Sequence, residues 1–222
     1  MVNEQIRCDN MECGCKVTSF QWFSPKLKTI YFESSKTASS SMRTSLQIPG
    51  NNLEVGEHPG KQYGKFEIMN CRDYFQNQVI YQQYFKFGFV RNPWDKMVSV
   101  WRFFVTRNPA TIKRRVDIFT EFFGKPKAQV TFEEFIRSIN IFKNHHWELQ
   151  IRFIPESVDF VGRFEKIGDG VREIEKHIGI KLRMPKVNTT QHGHYRTYYT
   201  DELKDIVSEM YAPDIARFGY EF

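Results

Sequence analysis

This sequence has few cysteines, no long hydrophobic run and no hydrophobic segment of the signal-peptide type at its start. Only four cysteines occur among 222 residues, and a chain of this length can bury enough apolar surface to fold without disulfide or metal staples. No uninterrupted apolar stretch approaches the roughly 18 residues of a membrane span, and the first residues lack a signal-peptide hydrophobic region. These absences predict a soluble, cytoplasmic protein without a membrane span.

Regular metal-ligand spacing is also missing from the sequence. Cys8, Cys13 and Cys15 crowd the N-terminal arm at irregular intervals, and Cys71 stands alone, so a zinc site is not favoured over reduced thiols. The pair formed by His192 and His194 has no evident third ligand. We expect no metal.

Positive charge is in excess, with 32 Lys and Arg against 26 Asp and Glu and a net charge of +6. This balance favours anionic partners such as phosphate, sulfate or nucleic acid, and it carries no information about the fold. Basic and aromatic composition together leave nucleic-acid binding open as a function class.

Short buried strands alternate with amphipathic helices from residue 26 onward, whereas residues 1–25 read as an irregular N-terminal arm. Strands are predicted at 29–32, 85–90 and 158–164, and helices at 42–47, 93–106, 131–139, 171–178 and 200–211. Residues 107–130 read as a mobile basic excursion. Alternating strands and helices predict one α/β domain over residues 26–222, with a central, largely parallel sheet.

A hydroxyl-rich loop with one lysine, Lys36, follows the first predicted strand. Backbone N–H groups at a helix N-terminus, together with hydroxyls and a lysine, suit an anion. Residues 35–48 contain no glycine, so the loop is not a Walker A sequence and ordinary NTP hydrolysis is disfavoured. The alternative is a Ser/Thr-rich helix cap with a surface lysine.

Arg91 follows the second predicted strand, and Ser99 lies eight residues further on. Asn92 suits a helix N-cap and Pro93 the first helical position. The predicted apolar stripe of this helix leaves Ser99 displayed on another face, and it comprises Trp94, Met97, Val98, Trp101 and Val105. Arg91 and Ser99 can hold a phosphate, and the alternative is an ion pair of Arg91 with Asp95.

Together these two segments resemble those of sulfotransferases that use 3′-phosphoadenosine 5′-phosphosulfate (PAPS). The run KTIYFESSKTASSS, from Lys28 to Ser41, resembles their 5′-phosphosulfate loop, and FKFGFVRNPWDKMVS, from Phe85 to Ser99, resembles their 3′-phosphate-binding strand and helix. The likeness is strongest to the carbohydrate branch, which includes heparan 2-O- and chondroitin 4-O-sulfotransferases and compact bacterial relatives, and further similarity lies at 146–150, 158–165 and 198–220. The resemblance spans residues 26–222 and implies a P-loop-NTPase-like, three-layer fold.

The resemblance also implies PAPS as co-substrate and a set of residues that bind it. Lys36 would stabilise the charge that develops on the phosphate oxygen as the S–O bond breaks. Ser39 occupies a position that is often glycine in the family, which predicts a conformational cost if its φ is positive. The implied cofactor-binding residues are Ser35, Lys36, Thr37, Ala38, Ser39, Ser40, Ser41, Arg91 and Ser99, with Arg196 closing over the nucleotide.

A general base is needed because the acceptor hydroxyl loses its proton as it attacks sulfur. His58 resembles the family's base-bearing stretch, Glu57 is an adjacent carboxylate candidate, and His146 comes second. A loop or packed-core histidine is the alternative at these positions.

The function that follows from this resemblance is transfer of a sulfuryl group from PAPS to an acceptor hydroxyl on a saccharide. One alternative is a nucleotide or small-molecule kinase of P-loop-like fold, which would need Mg²⁺ and a strand-end carboxylate. The other is a non-catalytic basic module that binds RNA or anionic glycans, with an affinity that falls steeply with salt.

Overall fold

The computed structural model describes residues 21–48, 62–63, 65–69, 77–106, 119–185 and 193–222. Several residues singled out above lie outside these ranges, namely Cys8, Cys13, Cys15, Glu57, His58, Cys71 and His192. The described residues group into two compact units, the first within 1–90 and 150–188 and the second within 91–149 and 189–222.

The first unit contains a mixed sheet of six described strands. These are β1 (Gln21–Ser24), β2 (Thr29–Phe32), β3 (Gln62–Tyr63), β4 (Phe66–Met69), β5 (Phe85–Val90) and β6 (Phe160–Arg163), in the spatial order β3-β4-β1-β2-β5-β6. The strands β2, β5 and β6 run parallel, as the alternation of strands and helices predicted. The α/β class is confirmed, but the other half of the sheet is antiparallel.

The helices with described bounds are numbered in chain order. They are α1 (Ser39–Ser45), α2 (Gln78–Tyr81), α3 (Pro93–Thr106), α4 (Phe132–Ser138), α5 (Ile167–Ile178), α6 (Asp201–Met210) and α7 (Ala212–Phe218). Among the described helices, none combines the length and the apolar character that crossing a membrane requires.

The end of the predicted irregular arm is part of the sheet, which corrects its boundary. Gln21–Ser24 forms β1, which pairs antiparallel with β2 on one side and with β4 on the other. Trp22 lies opposite Tyr31 in this register, and both side chains are fully buried. Four residues without a clear alternation become a strand here because both neighbours supply hydrogen bonds and a covered face.

Helix α5 packs on the parallel half of the sheet around the ring of Phe89. A Cβ atom at Gly162 of β6 would come 2.4 Å from that ring, and one at Gly170 of α5 would come 2.7 Å from it. The two glycines therefore allow a close approach of strand and helix. The helix begins four residues earlier than predicted, at Ile167, and ends at Gly179 in the left-handed conformation as predicted.

In the second unit, the predicted helix caps are present. Thr131 and Glu134 form the capping box of α4, and Thr200 caps α6 through a bond from the backbone N–H of Leu203. Sequence analysis missed α7, since Pro213 ends one helix and stands in the first turn of the next. The described part of the basic excursion holds helical residues 119–123, and Lys125 forms an ion pair with Glu134 at 2.6 Å.

Candidate functional site

The loop between β2 and α1 contains two left-handed residues in three positions. Lys36 has φ 68° and Ala38 has φ 61°. The hydroxyl of Thr37 donates to the carbonyl oxygen of Ser34 at 2.8 Å and thereby closes the turn between them. Left-handed backbone costs a non-glycine residue about 1–2 kcal/mol, and such conformations concentrate at ligand-binding turns.

The first turn of α1 is open to an anion. Its N-cap, Ala38, has no side chain that can accept from the helix N–H groups, and no acidic residue stands in the turn. Successive N–H groups in such a turn, with the hydroxyls of Ser39, Ser40 and Ser41, form a donor set for phosphate or sulfate. Ser39 is helical, so the cost expected for a positive φ does not arise there, and the positive φ values are at Lys36 and Ala38.

A charged group that the sequence analysis did not identify stands immediately after β2. The carboxylate of Glu33 accepts from the indole N–H of Trp22 at 2.8 Å and lies 3.7 Å from Nε of Arg43 in α1. Burial and the Glu33 charge raise the pKa of the neighbouring Tyr31. The carboxylate and the guanidinium fix the relation between the end of β2 and α1, on either side of the Lys36 loop.

In the second unit, Arg91 and Asn92 form the entrance to α3. The amide oxygen of Asn92 accepts from the backbone N–H groups of Trp94 and Asp95 at 3.0 and 3.3 Å, which confirms the predicted N-cap. Nε of Arg91 donates to Asp95 at 2.8 Å, and both side chains are largely buried. The ion pair considered as an alternative is therefore present, and it engages Nε, one of the five N–H groups of the guanidinium.

Ser99 lies one helical turn beyond Asp95 on the same face of α3. It lies off the apolar stripe, as predicted, but it is only 1% exposed and is therefore buried. The reason is that α3 is covered on more than its apolar stripe, since Val100, Phe103 and Phe104 are buried as well.

Lys96 is a buried cation that the sequence pattern did not single out. Its Nζ donates to the carbonyl oxygen of Glu148 at 2.6 Å and lies 5.4 Å from the ring centroid of Tyr211. Burial lowers the pKa of Lys96 to about 8, although Asp214 and Glu148 act to raise it, and the nearby Arg91 lowers it further. The side chain lies opposite the apolar stripe of α3, where periodicity predicts exposure.

His146 is packed among aromatic rings. It is 8% exposed, and its ring centroid lies 5.2 Å from that of Phe103 and 5.4 Å from that of Phe104. The His145 ring stands 4.0 Å away. These surroundings match the packed-core alternative better than an accessible base.

Arg196 contacts residue 222. Its guanidinium donates to the carbonyl oxygen of Phe222 and lies 5.4 Å from the centroid of that ring. Its predicted role of closing over a nucleotide stays a prediction. In the part of the chain with described positions, no three His, Cys, Asp or Glu side chains are grouped to hold a metal ion.

The candidate residues thus fall into two sets, each suited to an anion. The first unit contributes a loop with hydroxyls, Lys36 and an uncapped helix start, and the second contributes Arg91 and the N-cap turn at Asn92. The model of the Sulfotransferase family matches residues 21–221, which include both sets. No curated protein and no solved structure matches the chain. Because the match covers nearly the whole sequence, the chain belongs to the sulfotransferase family.

Proposed function

We propose that this sulfotransferase uses PAPS as its donor and transfers the sulfuryl group to a saccharide hydroxyl. The observation that carries the proposal is the position of the two candidate segments along the sheet. The Lys36 loop follows β2, and Arg91 follows β5, the neighbouring parallel strand. Ligands of α/β proteins bind outside the carboxyl ends of such strands.

The residues of the Lys36 loop suit the 5′-phosphosulfate end of the donor. We assign this end to Ser35, Lys36, Thr37 and Ala38 of the loop and to the first residues of α1, Ser39–Ser41. PAPS supplies a sulfuryl group that is activated by its bond to phosphate. The Lys36 ammonium would stabilise the negative charge left on the phosphate oxygen, and the backbone N–H groups would hold that oxygen in place.

We assign the 3′-phosphate to Arg91 and Ser99 on the second unit. The guanidinium is largely buried and its orientation is set by Asp95, so it loses little conformational freedom on binding. A planar guanidinium can bind phosphate with two parallel hydrogen bonds, which a lysine at the same place could not do.

His58 is the proposed general base, with Glu57 as the carboxylate beside it; both lie outside the described residues. His146, the other candidate, is enclosed by Phe103 and Phe104, which favours a packing role for it. The base would accept the acceptor's hydroxyl proton as the new O–S bond forms and the old one breaks. The saccharide acceptor rests on the likeness to the carbohydrate branch, and the net charge of +6 suits an anionic glycan.

The test is transfer of radioactive sulfur from labelled PAPS to a panel of oligosaccharides, with Lys36→Ala as the inactive variant. Lys28→Ala is the matched control, because Lys28 also has a positive φ, of 43°, and stands at the other end of β2. We expect the label in at least one saccharide, with a rate reduced about 100-fold or more in Lys36→Ala and unchanged in Lys28→Ala.

Two results would contradict the proposal. Equal rates in the wild type and Lys36→Ala would remove the Lys36 loop from the reaction. Transfer to a phenolic or other small hydroxyl compound, with none to any saccharide, would retain the donor and overturn the acceptor class.

His58→Ala is expected to lose the rate dependence on a group titrating near neutral pH, as measured by the pH profile of kcat/KM.

A further inference from the structure

Residues 219–222, which follow α7, contact the N-terminus of α3, and none of them has a role in the proposed function. The ring of Phe222 meets three aromatic rings nearly at right angles, with centroid distances of 5.5 Å to Trp94, 5.6 Å to Tyr195 and 5.5 Å to Tyr199. Edge-to-face pairs of this kind stabilise a structure by more than the burial of their apolar area alone. Phe222 therefore has a defined position on the second unit.

Cationic side chains and hydrogen bonds to its backbone carbonyl oxygens hold the same segment. Arg196 donates to the carbonyl oxygen of Phe222 and lies over its ring, and Nζ of Lys204 lies 5.7 Å from the centroid of that ring. The amide nitrogen of Asn92 donates to the carbonyl oxygen of Glu221 at 3.0 Å. Glu221 and Phe222 are thus held by contacts with three side chains, and one of these is the N-cap of α3.

Asn92 connects this segment to Arg91. Its amide oxygen caps the first turn of α3 by accepting from Trp94 and Asp95, while its amide nitrogen is bonded to Glu221. Asp95 in turn holds Nε of Arg91. A rotation of the Asn92 amide would loosen the N–H of Asp95 and, with it, the partner that orients the Arg91 guanidinium.

The contacts of Trp94, in the first turn of α3, reinforce this connection. The hydroxyl of Tyr199 donates to the carbonyl oxygen of Trp94 at 2.8 Å, and the indole N–H of Trp94 donates to the carbonyl oxygen of Lys204 at 3.2 Å. Because Trp94 is 4% exposed and touches Phe222, the ring of Phe222 closes the side of this cluster that faces residues 219–222.

We propose that residues 219–222 act as a strap, with Phe222 as a positioning residue that holds Arg91 in the geometry for the 3′-phosphate. The inference rests on the proposed function, in which Arg91 binds that phosphate. Arg196 acts through the strap, by fixing Phe222. A ligand without a 3′-phosphate does not depend on the orientation of Arg91, so the strap affects discrimination between nucleotides more than binding in general.

The test is calorimetric binding of adenosine 3′,5′-bisphosphate and of adenosine 5′-monophosphate to the full chain and its Phe222→Leu variant. Leucine keeps much of the bulk and removes the ring contacts. We expect the preference for the bisphosphate to fall about tenfold, with the affinity for the monophosphate unchanged. Phe222→Tyr, which keeps the ring, restores the preference.

Phe122→Leu is the matched control. Phe122 is also a partly exposed phenylalanine of the second unit, stacked on Phe142 at 4.6 Å, and it is remote from Asn92 in the chain. It should retain the wild-type preference. Arg196→Gln provides a second variant that leaves the ring of Phe222 in place, and the double variant with Phe222→Leu should lose no more than the larger single loss, because both act on one element.

The outcomes separate the strap from the proposed function. A wild type without any preference for the bisphosphate overturns both, since Arg91 then binds no 3′-phosphate. A wild-type preference that Phe222→Leu retains overturns the strap alone. Equal losses for the two nucleotides would mean that Phe222 only supports the fold, and losses that add in the double variant would give Arg196 a separate contact with the nucleotide. Both results would contradict the inference.

Discussion

Replacing the buried Lys96 by methionine should change how the stability of the protein depends on pH. Burial lowers the pKa of Lys96 to about 8, whereas in the unfolded chain the ammonium has its ordinary pKa of 10.5. Above pH 8 the folded state gives up a proton that the unfolded state still binds. The free energy of unfolding therefore rises with pH between about 8 and 10.5, as the folded protein is relieved of the buried charge, and it falls again as the pH is lowered through this window.

The magnitude follows from the two pKa values. Each unit of pKa difference corresponds to about 1.4 kcal/mol, and between pH 7.5 and 9.5 the folded state passes through most of its titration. The wild type should gain about 2 kcal/mol of unfolding free energy from Lys96 over this interval. Asp214, Glu148 and Arg91 act on the same ammonium, and their effects are already contained in the shifted value.

The assay is urea unfolding of the wild type and Lys96→Met at closely spaced pH values between 7.5 and 9.5. Methionine fills a similar volume without a charge, so the difference between the two curves isolates the titration of Lys96. Lys143→Met, at an exposed lysine of the same unit, is the control and should keep the wild-type slope. Parallel curves for wild type and Lys96→Met would refute the reasoning, because Lys96 would then be equally protonated in both states.

Three further changes test the site and its support. Arg91→Lys should weaken binding of adenosine 3′,5′-bisphosphate about tenfold without affecting adenosine 5′-monophosphate, since an ammonium cannot make the two-pronged contact; equal weakening would contradict this. Gly162→Ala should lower the free energy of unfolding by about 1–3 kcal/mol because its Cβ meets the ring of Phe89 at 2.4 Å, whereas Gly168→Ala, whose nearest neighbour is 3.7 Å away, should not lower it. Ala38→Gly should raise it by up to about 1 kcal/mol by relieving the left-handed φ of 61°, and a decrease would argue against strain there.

The segments that carry the proposed chemistry were predictable because their signals are local. Four buried β-prone residues at Thr29–Phe32 form β2, and Asn92 with Pro93 starts α3 at the predicted residue. Caps and short buried strands depend on neighbours in sequence, so one sequence is enough to find them.

The antiparallel half of the sheet was not predictable in the same way. Gln21–Ser24 becomes β1 only through pairing with β2 and β4, and the pairing residues of β4 are more than 40 positions away. The late start predicted for α5 has a related cause. Gly168 and Gly170 are poor helix formers, so the sequence predicts a later start. In the structure both belong to the helix, and position 170 is a glycine because the ring of Phe89 leaves no space there for a side chain.

Burial on α3 also depends on contacts that periodicity does not contain. Ser99 and Lys96 both lie off the apolar stripe, and both are buried. For Lys96, the partners come from other elements, since its ammonium bonds to the carbonyl oxygen of Glu148 and interacts with the charge of Asp214. The left-handed positions in the Lys36 loop could not be located from the sequence for a similar reason. A glycine-like place in the family pattern pointed to Ser39, while the chain takes its turn at Lys36 and Ala38.

The most direct test of PAPS dependence is calorimetric titration of the purified protein with adenosine 3′,5′-bisphosphate, run against ATP with Mg²⁺. We expect micromolar binding of the bisphosphate that is lost in Arg91→Ala, and no comparable binding of Mg-ATP. Binding of Mg-ATP alone would contradict the donor assignment and favour phosphoryl transfer. Absence of binding for both ligands would contradict the proposal that the protein uses a nucleotide donor.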